Sequence, residues 1–145
     1  MLKIAFYKGT HKGLAGVYNR LVRSFDSGKY SHCELIFSDG MSASSSFMDG
    51  GVRFKQIIYD PNNWDIIELP NADENAAREW FIKHEGLPYD IRGNLKLVFI
   101  LIPQSKNGWF CSEAVAAALR MVDSWRYSPN ALYAIIKYTK PPHHI

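Results

Sequence analysis

Tyr30-Ser31-His32-Cys33-Glu34-Leu35-Ile36-Phe37 runs into Ser38-Asp39-Gly40, and a second β-rich stretch follows. Alternate side chains of a strand share a face. Ser31, Cys33, Leu35 and Phe37 therefore point one way, a nearly apolar set that reads as core. His32, Glu34 and Ile36 point the other way. That parity makes Cys33 the structural cysteine and puts an imidazole and a carboxylate on one face, roughly 6.6 Å apart along the strand. Glu34 can orient His32 only if its side chain folds back. Ser38-Asp39-Gly40 is a hairpin signal, so 41–47 reads as the return strand. The stretches 51–58 and 65–69 continue the series, and 2–7 is a first strand ending in Lys8-Gly9-Thr10.

Helical patterns fill the rest. Leu14, Val17, Tyr18, Leu21, Val22 and Phe25 recur at helical spacing over 13–25. After Pro70, Asn71 or Asp73 can cap a helix that carries Ala76, Ala77, Trp80, Phe81 and His84 on one face up to Gly86. A weaker helical pattern spans 91–101. An alanine-rich one spans 111–122, and Ser128-Pro129 supplies a cap and a first turn for the last helix. Composition and these elements read as a soluble α+β or α/β domain. The 145 residues, without repeats or a low-complexity linker, read as one domain over 1–145.

Composition removes several function classes. Hydrophobic residues are 47% and charged residues 21%, which fits a globular chain and not a disordered or coiled-coil one. A net charge of +3, with tryptophans that have no basic residues interleaved, gives no nucleic-acid footprint. The longest apolar run, 95–102, is too short to cross a membrane. Two cysteines do not make a disulfide scaffold or a zinc site, and the five histidines show no ligand spacing, so no metal or other cofactor is expected. The N-terminus lacks a long apolar signal region. The expected setting is reducing and cytoplasmic.

Cys111 lies in Gly108-Trp109-Phe110-Cys111-Ser112-Glu113-Ala114, where an apolar approach meets the first turn of the alanine-rich helix. Unpaired N–H groups and the positive end of the dipole bias a thiol there toward thiolate, and the same groups can hold an oxyanion. Glu113 suits the first turn as cap support or as a helper in the site. Taken alone, Cys111 reads equally well as a small buried hydrophobe, and His32 alone as a half-buried histidine with satisfied bonds. A thiol nucleophile, however, needs an imidazole beside it and a third group to fix the tautomer. This chain carries all three residue types.

Three stretches in this order, Tyr30-Ser31-His32-Cys33-Glu34-Leu35, Gly86-Leu87-Pro88-Tyr89-Asp90-Ile91-Arg92-Gly93 and Trp109-Phe110-Cys111-Ser112-Glu113, resemble the permuted papain-like branch of the NlpC/P60 cysteine peptidase superfamily. That branch includes the YiiX-like amidases and the lecithin:retinol acyltransferase relatives. As in the branch, the histidine strand precedes the cysteine helix, and the similarity covers about residues 28 to 133. The resemblance implies a circularly permuted papain-like fold, a curved, mostly antiparallel sheet packed on helices. It implies Cys111 as nucleophile, His32 as general base and Tyr89 near the substrate cleft. Glu34 is the expected third member, with Ser42, Ser44, Ser45 and Ser46 as its competitors. The function implied is a thiol hydrolase, an amidase or peptidase, acting through an acyl-enzyme on a peptide, murein-peptide or acyl-bearing substrate. A phage-type accessory protein would fit equally. A lipid acyl hydrolase or acyltransferase of the same fold, and a non-catalytic binding module with a papain-like cleft, stand as alternatives. Arg53 is expected to be solvated rather than in contact with an acidic substrate group.

Overall fold

The computed structural model describes residues 1–10, 16, 20, 23, 28–90 and 108–139. Five strands, Lys3–Tyr7 (β1), His32–Ile36 (β2), Ser42–Ser46 (β3), Gly51–Lys55 (β4) and Trp64–Glu68 (β5), precede three α-helices, Glu74–His84 (α1), Cys111–Ala118 (α2) and Pro129–Thr139 (α3). The architecture of the described residues is α+β. The helix expected over 13–25 falls outside the described residues except for Gly16, Arg20 and Arg23, which have helical backbone. The pattern over 91–101 lies wholly outside them. Among the described residues no helix is long and apolar enough to cross a membrane.

All strand pairs are antiparallel, in the order β4-β3-β2-β1-β5. β2, β3 and β4 form a meander through tight turns. Phe37 N–H donates to Met41 O across the Ser38-Asp39-Gly40 corner, where Gly40 has φ +87°. β5 then crosses to the far edge and pairs with β1. Strand parity sorts the side chains as expected: Cys33 and Leu35 are in register with Phe6 and Ile4, and all four are fully buried in the core shared with the helices. Ala77 and Phe81 of α1, Ala114, Val115 and Ala118 of α2, and Leu132 and Ile136 of α3 complete that core.

The opposite sheet face is not simply solvated. It carries a row formed by Trp64, Tyr7 and His32 and a row in which Ile66, Ala5 and Glu34 align. Glu34 is 1% exposed.

Two elements end earlier than their sequence patterns do. β4 stops at Lys55 because its partner strand begins at Ser42, opposite it, and the ladder runs out. The alanine-rich helix stops at Ala118, not near 122. Arg120 adopts φ +59°, and its N–H and that of Met121 return to Ala117 O and Ala116 O, the two bonds of a Schellman cap. The caps read from sequence are in place. Asp73, not Asn71, accepts from Ala76 N–H at 3.0 Å, and Ser128 Oγ accepts from Ala131 N–H at 3.1 Å.

One irregularity in the sheet positions everything that follows. β2 and β3 are in register only at Leu35–Ala43 and Ile36–Ser42, although the strands extend to His32 and Ser46. Toward that end the ladder opens. Ser44 Oγ donates to the Cys33 carbonyl at 2.7 Å, and Ser45 Oγ donates to Trp109 O at 2.5 Å. The start of α2 is thereby tied to the opened end of the sheet.

Candidate active site

Cys111 is the first residue of α2, after Phe110 in extended conformation (ψ 167°). Glu113 turns back toward the Phe110 N–H at 3.5 Å, the cap-support role expected of it. The β2–β3 ladder is open here, and two consecutive β2 residues reach the same sulfur. The His32 imidazole, the Cys33 thiol and the Cys33 backbone N–H all stand beside the Cys111 sulfur and bear on its charge.

These neighbours set the charge state. The Cys33 thiol is the largest influence holding Cys111 well below the usual thiol range. Burial opposes it, and His32 and the Cys33 N–H support it. On His32, burial disfavours the imidazolium, but the Cys111 sulfur and then Glu34 outweigh it and raise the pKa to about 9. Burial likewise pushes the Cys33 thiol well up, with Cys111 adding to it, so Cys33 stays protonated. Both shifts run in the direction that favours a thiolate–imidazolium pair.

Glu34 does fold back. Its Oε1 lies 2.7 Å from His32 Nε2, which leaves the other ring nitrogen for the sulfur. A carboxylate 1% exposed needs a counter-charge, and Arg53 supplies it with Nη1 at 2.7 Å and Nη2 at 2.5 Å. Burial acts to raise Glu34, but the bonds from Arg53 and His32 prevail and hold it below the ordinary carboxylate range. Arg53 stands two strands from Glu34. Ser44, its register partner in β3, has a side chain short enough for the guanidinium to reach past. Asp49 takes the remaining Arg53 Nε at 2.8 Å and Lys55 at 2.9 Å.

Arg53 is thus not solvated. Its side chain is 14% exposed and committed to two carboxylates. Sequence reasoning missed this because the β3–β4 register that aligns Arg53 with Ser44 is not visible in either strand alone. In that pairing the charges run in alternation through Arg53, Glu34, His32 and Cys111, so the buried chain of four is neutral.

The four serines are engaged elsewhere: Ser42 with Tyr59 at 2.7 Å, Ser44 and Ser45 as above, and Ser46 Oγ with the Asp49 N–H at 3.4 Å. Tyr89 forms a parallel bridge with Trp109 two residues before Cys111, and its ring lies 5.9 Å from Phe47. His84 stacks on Trp80 at 3.9 Å and bonds Trp80 O at the end of α1.

A cleft of about 450 Å³ opens against His32 and Glu34, walled by Met48, Arg53, Ile57 and Trp64 among others. Neither Cys111 nor Tyr89 is among its lining residues, and Cys111 is 1% exposed. No protein-family model, curated protein or solved structure matches this chain.

Proposed function

We propose that this chain is a thiol hydrolase of the permuted papain-like type, an amidase or peptidase that needs no cofactor and works in a reducing, cytoplasmic setting. The observation that carries the reading is the buried Cys111 at a helix start, with His32 beside it and the His32 ring held by Glu34 at 2.7 Å. Further support comes from the order of the elements. A histidine strand precedes a cysteine helix, as in the NlpC/P60 branch that the sequence resembles.

The chemistry follows from the charge state. The thiolate attacks the carbonyl of an amide or related acyl bond, and N–H groups at the start of α2 take the developing oxyanion. His32 then gives its proton to the leaving group and, as neutral imidazole, draws a proton from the water that releases the acyl-enzyme. Glu34, fixed by Arg53, keeps the ring in one orientation through both steps. The apolar walls at Met48, Ile57 and Trp64, in the cleft that opens against His32, favour a substrate that carries an apolar group. They give the lipid acyl reading its one specific support.

The test is to titrate Cys111 through its ultraviolet thiolate absorbance, taken as the difference from Cys111→Ser, in the wild type and in His32→Ala. Iodoacetamide labelling against pH, located by peptide mass spectrometry, follows in parallel. Cys111 is expected to ionise well below the ~8.5 of a free thiol, and His32→Ala to move it back up. Ordinary or raised titration in both proteins removes the hydrolase reading and leaves a binding module with a papain-like cleft.

A further inference from the structure

Among the described residues Cys33 is a thiol near the site that the proposed chemistry does not use. It is fully buried in the same core cluster as Cys111, both cysteines are free, and the adjacent Ser44 and Ser45 hold the carbonyls of Cys33 and of Trp109, two residues before Cys111. Ordinary strand parity would separate it from the His32 side of the sheet. The β2–β3 ladder is in register only at Leu35 and Ile36, so the His32–Cys33 end of β2 stands clear of β3 pairing. A low-pKa cysteine that keeps a second thiol in contact is the arrangement that turns oxidation into a reversible event.

We propose that Cys111 is a peroxide-oxidised cysteine and that Cys33 resolves it as a Cys33–Cys111 disulfide between β2 and α2. The proposal rests on the hydrolase reading only for the function that the disulfide would switch off.

The steps balance. The Cys111 thiolate attacks one oxygen of hydrogen peroxide and the O–O bond breaks. The departing hydroxide takes the His32 proton and leaves as water, so Cys111 becomes a sulfenic acid. Cys33 sulfur then attacks Cys111 sulfur, the S–S bond forms and the S–O bond breaks. The second hydroxide takes the Cys33 proton and also leaves as water. Two thiols are oxidised by two electrons and one peroxide is reduced to two waters. A dithiol reductant reverses the change.

Peroxide is the oxidant that suits a sulfur 1% exposed. It is little larger than water, whereas a disulfide oxidant must bring a bulky sulfur to an in-line approach. Burial of Cys33 also slows its direct oxidation, because its thiol is held protonated. Order of events is therefore fixed: Cys111 first, Cys33 second.

The experiment treats reduced wild type, Cys33→Ala and Cys33→Ser with hydrogen peroxide and reads intact mass and non-reducing peptide maps, with dimedone as a sulfenic-acid trap. The wild type is expected to lose two hydrogens, show a Cys33–Cys111 peptide pair, and recover fully with dithiothreitol. Both Cys33 variants should instead accumulate the dimedone adduct on Cys111 and, with excess peroxide, go on to sulfinic acid that dithiothreitol does not reverse. Wild type that proceeds to sulfinic acid as fast as the variants, with no linked peptide, overturns the proposal. The wild-type arm decides the matter even where a variant folds poorly. The two readings also fail separately. A disulfide with an ordinary Cys111 titration keeps this inference and sinks the hydrolase, and a depressed titration without a disulfide does the reverse.

Discussion

At the scale of single residues the site depends on Arg53 as much as on the residues that would touch substrate. Glu34 is almost wholly buried, and both its oxygens are taken by the Arg53 guanidinium while one also meets His32. Arg53→Met strands that carboxylate in the interior. Removing one partner of a buried pair costs about 3–5 kcal/mol, and the denaturant midpoint should fall accordingly. Arg53→Lys should recover little, since an ammonium cannot reproduce the two-pronged bond. The double variant Glu34→Gln/Arg53→Met should recover much of the loss, because the stranded charge is gone. Additive losses in the double variant would mean that the pair contributes nothing as a pair. Glu34→Gln alone separates orientation from charge. The amide can still bond the ring, but the neighbouring negative charge that helps to raise His32 is lost. The His32 titration midpoint, followed by imidazole NMR, should drop from about 9 toward the ordinary ~6.5. An unchanged midpoint would assign the shift to Cys111 alone.

Individual elements show where local sequence suffices and where it does not. The chain from 111 to 122 is helical by propensity, yet α2 ends in a Schellman cap with Arg120 in the left-handed position. A residue with a Cβ is strained there by about 1 kcal/mol or more, and Arg120 is exposed with only a 3.9 Å pairing to Asp73. Arg120→Gly should therefore raise stability by about 1 kcal/mol, seen as a higher thermal midpoint. A lower one would mean that the arginine has a role the cap geometry does not explain. Gly51 predicts the opposite sign. Its φ is +150°, and an added Cβ would lie 2.0 Å from the Leu87 carbonyl oxygen. Leu87 O accepts from Val52 N–H and Gly51 bridges Pro88, which anchors the segment leading to Tyr89. Gly51→Ala should cost about 2 kcal/mol or more. The strand parity of 30–37, the Asp73 and Ser128 caps and the Ser38-Asp39-Gly40 turn were legible because each is set by neighbours in sequence. The early end of α2, the open β2–β3 ladder and the reach of Arg53 past Ser44 were not. The helix stops on a left-handed arginine where sequence would lead one to look for glycine, and the other two depend on which strand lies beside which, and in what register.

For the whole molecule the buried charges link folding to pH, and the signs can be followed proton by proton. His32 has its folded pKa raised to about 9. Its contribution is fully present below the unfolded value of ~6.5 and is lost as pH rises through about 9. Cys111 is depressed, so its contribution is present above the unfolded thiol value of ~8.5 and is lost as pH falls through its folded value. Between the folded value of Cys111 and ~6.5 the unfolded chain binds both protons and the folded chain only one, so stability climbs with pH by about 1.4 kcal/mol per unit. Between ~6.5 and ~8.5 each state holds one proton, on His32 when folded and on Cys111 when unfolded, and the site's contribution is flat. Above that window the unfolded chain holds none while folded His32 keeps its proton, so stability declines until His32 titrates at about 9. Glu34, held below its ordinary range, steepens the acid side because its share is lost as pH falls below the carboxylate region. Asp49, lowered to about 2 by Lys55 and Arg53 against the effect of burial, acts in the same sense, weakened by its exposure to solvent. Urea unfolding across this range under reducing conditions should therefore give a plateau near neutrality with falling flanks in the wild type. Cys111→Ser keeps its hydroxyl protonated in both states and also removes the sulfur that does most to raise His32, so the site's climb on the acid side and its decline on the basic side should both shrink. Parallel profiles for the two proteins would mean that Cys111 is not ionised in the fold, and the ion pair would have to be given up together with the hydrolase built on it.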